Sequence, residues 1–308
     1  MTAQNIAEPP ALTNRTVPGP NGRVHLTDQP GEGPPLLLLH GFPDDSRIYD
    51  RLTPLLTPRR VLALDFLGYG RSERSAPRPF DPTDHQRTLR AVLDALELEQ
   101  VALAGHDASG PDAVDFALTE PGRVAHLILL NTYYGHAPAL RLPEMIRLFA
   151  DPDFAPLADA MMDDSNQRLW LLAHTATQFG LTLGEGGVGT ASVAPQFFGG
   201  ADQSDALTAI RAWTGALYPA QDEQDSRIAA GHLAALDVPV TLVFGARDQY
   251  LNPHLARHLA GLFTGAELHL VEEASHWPQW DQPEVVAKII EEELSASRSS
   301  SRRSPQSG

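Results

Sequence analysis

The stretch Val101-Ala102-Leu103-Ala104-Gly105-His106-Asp107-Ala108-Ser109-Gly110 constrains this 308-residue chain more than any other. An apolar run of strand character passes into a tight turn of small residues, and a helical pattern follows. Such a turn holds its central side chain exposed at the end of a buried strand. In most turns of this kind the central residue is serine; here it is Asp107. A carboxylate attacks a saturated carbon or an epoxide and leaves an alkyl ester on the protein. Attack on an ordinary ester or amide would give an anhydride, which is a poor intermediate. Two other readings stay open from the letters alone. Asp107 could cap the following helix, and Ser109 could compete as nucleophile, although it lies two positions late.

Other strand-like runs frame this turn. Pro35-Leu36-Leu37-Leu38-Leu39 ends in His40-Gly41-Phe42-Pro43, and Val61-Leu62-Ala63-Leu64-Asp65 leads to Gly68-Tyr69-Gly70. Val240-Thr241-Leu242-Val243-Phe244-Gly245 precedes Asp248, and Leu268-His269-Leu270-Val271 precedes Ala274-Ser275-His276-Trp277. A nucleophile, an acid and a histidine therefore follow strands in the order 107, 248, 276. Over about residues 20–294 the chain resembles the α/β-hydrolase family, whose triad has this order. The expected fold is α/β: a mostly parallel sheet with helices on both faces and an inserted helical cap.

His276 is then the expected base. Asp248 is expected to accept the proton on its far ring nitrogen and fix the tautomer. Asp248 could instead cap the helix beginning near Pro253. Some relatives place the acid after the preceding strand, where this chain carries Asn131. The backbone N–H groups of Phe42 and Ala108 are expected to form an oxyanion hole, with Pro43 stiffening the turn. His40 reads as structural, and Asp44 and Asp45 as caps of a helix near Ser46, with a substrate role as the lesser alternative.

The HGFP and GHDxxG motifs resemble epoxide hydrolases and their near relatives, among them fluoroacetate dehalogenases. Haloalkane dehalogenases typically carry Asn and Trp where this chain has Phe42 and Ala108. Fluoroacetate dehalogenases typically carry Arg at the position of Ala108. A small residue there predicts a wide pocket and a bulky, apolar substrate. The resemblance further implies cap tyrosines that hydrogen-bond the epoxide oxygen. Tyr218, thirty positions before Asp248, matches one of them, and a packed aromatic is the equal alternative. The second has no clear match: Phe154 stands in the corresponding region, with Tyr133, Tyr134 and Trp170 as substitutes. Trp277, beside the expected base, joins these as a candidate pocket residue.

Composition sets outer limits. The net charge of −16 argues against nucleic acid or an anionic membrane as partner. No apolar run is long enough to span a bilayer, and the first residues lack the pattern of a secretory signal, so a cytoplasmic location is expected. The absence of cysteine excludes disulfides and thiolate metal sites. No metal or organic cofactor is expected; a homo-oligomer is possible. Gly184-Glu185-Gly186-Gly187-Val188-Gly189 matches a nucleotide motif in letters but follows no strand, so a loop is expected. His254 and His258 share a helix face without a third ligand.

Strand and helix patterns alternate up to residue 131 and return at 239–245 and 267–272. The predicted organisation is a core over 1–136, a helical cap over 137–232, a second core part over 233–294 and a disordered tail over 295–308. Residues 1–20 read as a flexible arm, overlapping a hairpin over 14–28 that turns at Asn21-Gly22. The expected function is epoxide opening to a vicinal diol through an ester on Asp107. The alternatives are a dehalogenase with the same triad, a hydrolase of another strained ring or lactone, and a non-catalytic binding protein.

Overall fold

A computed structural model describes residues 12–74, 82–179 and 204–301. The Gly184–Gly189 stretch lies outside these residues. Eight strands form one sheet in the order β1-β2-β4-β3-β5-β6-β7-β8. They are β1 (Thr13–Pro18), β2 (Arg23–Gln29), β3 (Glu32–Leu39), β4 (Arg59–Leu64), β5 (Val101–Asp107), β6 (Val124–Thr132), β7 (Val240–Gly245) and β8 (Glu267–Val271). β1 and β2 pair antiparallel, β2 runs antiparallel to β4, and the strands from β4 to β8 are parallel.

The pattern of side chains explains this division. Leu36–Leu39, Val101–His106 and Val240–Gly245 are buried at every position, as strands covered on both faces must be. β1 is exposed along most of its length, which suits an antiparallel edge. Its ordered pairing with β2 corrects the expectation of a flexible arm up to residue 20. Six ladder pairs from Thr13↔Asp28 to Pro18↔Arg23 fix it, and Gly19 N–H closes the turn on the Gly22 carbonyl at 2.8 Å.

Helices α1 (Pro82–Ala95) and α2 (Ser109–Thr119) precede and follow β5. Between β6 and β7 the described residues form only helices: α3 (Glu144–Ala150), α4 (Ala155–Asp163), α5 (Ser165–Gln178), α6 (Ser204–Gly215) and α7 (Leu217–Ala229), with one 3-10 turn. After β7 come α8 (Pro253–Ala260), α9 (Pro278–Asp281) and α10 (Pro283–Ser301). α10 overruns the boundary expected for a disordered tail at residue 295. Leu294 is buried, and Ser297 hydrogen-bonds His126 of β6 at 2.9 Å, so the helix is held past that point. Among the described residues no helix is long and apolar enough to cross a membrane.

Candidate active site

β5 delivers Asp107 to the end of the sheet, in a left-handed backbone conformation at φ 51°. That region is uncommon for a residue with a side chain and marks a turn held by its surroundings. Small neighbours make the turn possible. A Cβ on Gly105 would meet the Ser109 carbonyl oxygen at 2.8 Å, and a Cβ on Gly41 would meet the Asp107 Cβ at 2.5 Å. The Ser109 hydroxyl is fully engaged: it accepts from His106 N–H at 3.0 Å and faces the Leu39 and His106 carbonyls at 3.0 and 2.8 Å. Ser109 therefore locks the turn, and the side chain presented by it is Asp107.

Phe42 N–H donates to Asp107 Oδ2 at 3.0 Å, and Ala108 N–H also bonds the carboxylate. The two amides predicted to form an oxyanion hole thus converge on one carboxylate. His40 holds the loop that carries Phe42. It accepts Phe66 N–H at Nε2 (3.0 Å) and donates from Nδ1 to the Gly41 carbonyl (2.7 Å). This is the structural duty read from the sequence.

The loop after β8 brings His276 to the same cavity as Asp107. Its Nδ1 donates to Asp248 Oδ2 at 2.8 Å. Asp248 is held in turn by Tyr250 and Leu251 N–H at 2.8 and 3.1 Å. Asn131, at the end of β6, donates to Asp248 Oδ2 at 2.9 Å and accepts Gly245 N–H at 2.7 Å. It stands where an acid was conceivable and instead positions Asp248, which follows the next strand. His106 donates from Nε2 to the His276 carbonyl at 2.8 Å, which fixes the backbone of His276.

The charges are coupled. Burial opposes a charge on His276, but the carboxylates of Asp248, Asp107 and Asp44 outweigh it and push the ring up to about 9. Burial raises Asp107, and the positive His276 and the two amides oppose the rise. For Asp248 burial also acts upward, but the charge and hydrogen bond of His276 prevail and lower it.

Asp44 and Asp45 separate in space. Asp45 caps the 3-10 turn Ser46–Tyr49, accepting Arg47 N–H at 3.0 Å. Asp44 is buried and accepts the Trp277 indole N–H at 2.8 Å. Its other oxygen has no partner among the described residues. Burial pushes this carboxyl up to about 8. Sequence reasoning treated both residues as caps; only Asp45 is one.

The cavity over Asp107 encloses about 670 Å³, mouth included. Its walls are largely apolar, with Phe42, Met145, Ile146, Phe179, Trp213 and Leu217 among them; Tyr133, Tyr250, Thr175, Thr214 and Arg141 add polar groups. Of the expected pocket residues, Tyr133 is there, buried beside Asp107. The others are not among the lining residues. Tyr218 borders a separate hollow with His136 and Gln221. Tyr134 donates to Asp115 at 2.5 Å. Phe154 and Trp170 are 47% and 59% exposed, Trp170 stacking on His174. Trp277 packs edge-on against His276, with centroids 4.7 Å apart. Arg141, Tyr250 and Trp213 were missed, because no motif marks them.

A family model for the alpha/beta hydrolase fold matches residues 34–283. The chain belongs to the α/β-hydrolase family. Haloalkane dehalogenase 2 of Mycobacterium tuberculosis is 34% identical over 132 residues, covering 42% of this chain and 46% of that protein. That match thus spans about half the length of the dehalogenase. A 2-hydroxymuconate semialdehyde hydrolase of a Pseudomonas species (strain CF600) is 27% identical over 87% of this chain and 89% of its own. Among solved structures, a loop variant of the haloalkane dehalogenase DbeA from Bradyrhizobium elkanii superposes with a TM-score of 0.72. It covers 95% of this chain and 99% of its own at 19% identity, a likeness of fold.

Proposed function

We propose that this protein is a hydrolase that opens epoxides to vicinal diols through a covalent ester on Asp107. The observation that carries this reading is a carboxylate, rather than a hydroxyl, at the strained turn, with Phe42 N–H on one of its oxygens at 3.0 Å. That amide orients the carboxylate and leaves the other oxygen to attack.

In the first step the free oxygen of Asp107 attacks an epoxide carbon, and the carbon–oxygen bond of the ring breaks. The ring oxygen needs a proton as it leaves. Tyr133 supplies it. The residue lines the cavity, and burial and the Asp107 charge hold its phenol well above the ordinary value. Its hydroxyl has no hydrogen-bond partner among the described residues. Tyr133 takes the role that the resemblance suggested for Tyr218.

Esterification removes the charge on Asp107. That charge is one of those raising His276, so the imidazole gives up its proton once the ester has formed, and that proton restores the phenol of Tyr133, whose affinity for a proton is raised well above the ordinary value. The neutral ring then takes a proton from water, which adds to the ester carbonyl carbon. Phe42 and Ala108 N–H stabilise the tetrahedral oxyanion. Collapse breaks the bond between the acyl carbon of Asp107 and the alkoxy oxygen, the departing alkoxide takes the proton from His276, the regenerated Asp107 carboxyl returns its proton to the ring, and the diol leaves.

A second reading is a dehalogenase with the same triad. It is favoured by the similarity to Haloalkane dehalogenase 2 and by the Trp213 ring in the cavity wall. A single turnover in 18O-water separates a covalent route from direct attack by water. The ester route puts the label into Asp107 and returns an unlabelled diol in the first turnover; direct attack labels the diol and would sink the reading. Halide release from haloalkanes, with no diol from epoxides, would favour the second reading.

A further inference from the structure

The cavity over Asp107 is apolar, yet Arg141 stands in its wall. Asp107 and His276 are the other charged lining residues described, and both belong to the triad. Arg141 is exposed. It makes no ion pair or hydrogen bond through its side chain among the described residues. Several other arginines are committed to acids. Arg59 pairs with Glu291, Arg60 with Asp28, Arg90 with Glu120 and Arg227 with Asp115.

The backbone beneath Arg141 is tethered. Leu140 N–H bonds the Ala137 carbonyl at 3.0 Å, and the Asn252 side chain donates to the Ala139 carbonyl at 2.8 Å. The acid nearest along the chain, Glu144, is turned elsewhere. Its carboxylate accepts from Gln178 and feels the charges of His174 and Arg147. A tethered backbone thus places Arg141, its side chain uncommitted among the described residues, in the wall of an apolar cavity. The planar fork of arginine matches a carboxylate with two parallel hydrogen bonds.

We propose that Arg141 is the anion anchor of the cavity, and that the substrate has an apolar body with a carboxylate at the end remote from its reacting carbon. The proposal rests on the reading of this cavity as the site of epoxide opening.

The test uses the full chain and three glycidyl ethers of one shape: phenyl glycidyl ether, its para-carboxylate and the methyl ester of that acid. The wild type is expected to show a KM for the carboxylate about fivefold below that for the ester, with similar kcat. Arg141→Gln should bring this ratio to about one, Arg141→Lys should keep part of it, and about 0.5 M salt should shrink it in the wild type. No preference in the wild type overturns the proposal. So does an Arg141→Gln variant that weakens both substrates and keeps the ratio, since that marks a structural role. Calorimetric titration of the corresponding diols reads binding without chemistry. If no ether is turned over but the diol acid binds more tightly than its ester, in an Arg141-dependent way, epoxide opening fails and the anchor stands. If the diol acid gains nothing from Arg141, the anchor fails.

Discussion

Asp248 Oδ2 accepts two hydrogen bonds, from His276 Nδ1 at 2.8 Å and from Asn131 Nδ2 at 2.9 Å. The carboxylate that orients His276 is thus clamped from the neighbouring strand. Asn131→Ala removes one donor from a buried charge and the bond to Gly245 N–H. Ester breakdown in single-turnover experiments should slow by about tenfold, with ester formation much less affected. Equal loss in both steps would mean that Asn131 acts on the whole site.

The charge of Asp107 raises His276. Asp107→Asn should therefore lower the pKa of His276 from its wild-type position near 9. Titration of the His276 ring by NMR measures this. The variant mimics the neutral ester, so the same shift would show how alkylation readies the base. An unchanged titration would remove that link between the two steps.

Tyr133 is assigned to the ring oxygen. Tyr133→Phe should slow ester formation from epoxides by about a hundredfold, as expected for loss of a positioned acid. Tyr218→Phe, on the separate hollow, should leave that rate near the wild-type value. The reverse result would return the role to Tyr218 and require a different arrangement of α7.

Asp44 links site electrostatics to stability. Its carboxyl lies at about 8 in the folded protein against an ordinary value of 3.8. A group raised in this way favours the folded state at low pH, and that contribution is lost as pH rises from the ordinary value through the folded one. Asp44→Asn cannot ionise. The Tm of the variant relative to the wild type should therefore climb between pH 4 and pH 8, about the two values just given. A difference flat across that range would show that Asp44 ionises freely in the fold.

The sheet was legible because its strands are continuous apolar runs, and because Asp107, Asp248 and His276 each follow one. A buried parallel strand leaves few alternatives for the residue at its end. The helices between β6 and β7 were legible only as helices. On α7, Leu217 reaches the cavity while Tyr218, about 100° further round the helix, borders the hollow with His136. Which of two neighbours faces inward depends on packing that no local pattern encodes. Asp44 and Asp45 are likewise identical in letters; the turn after Pro43 sends one to Trp277 and the other to Arg47. Asn131 was noted as a residue that could not be the acid. Its role as the acid's partner needed the register of β6 against β7.

The covalent role of Asp107 is tested most directly by intact mass spectrometry of His276→Ala incubated with a panel of epoxides and haloalkanes, followed by peptide mapping. The variant keeps the nucleophile and lacks the base, so an ester should accumulate. The mechanism predicts a mass increase equal to the whole epoxide, located on Asp107 and absent from the double variant with Asp107→Asn. An increase lacking the halogen, on the same residue, would move the substrate class to haloalkanes. An adduct on Ser109, or none from any member of the panel, would contradict a carboxylate nucleophile at this turn.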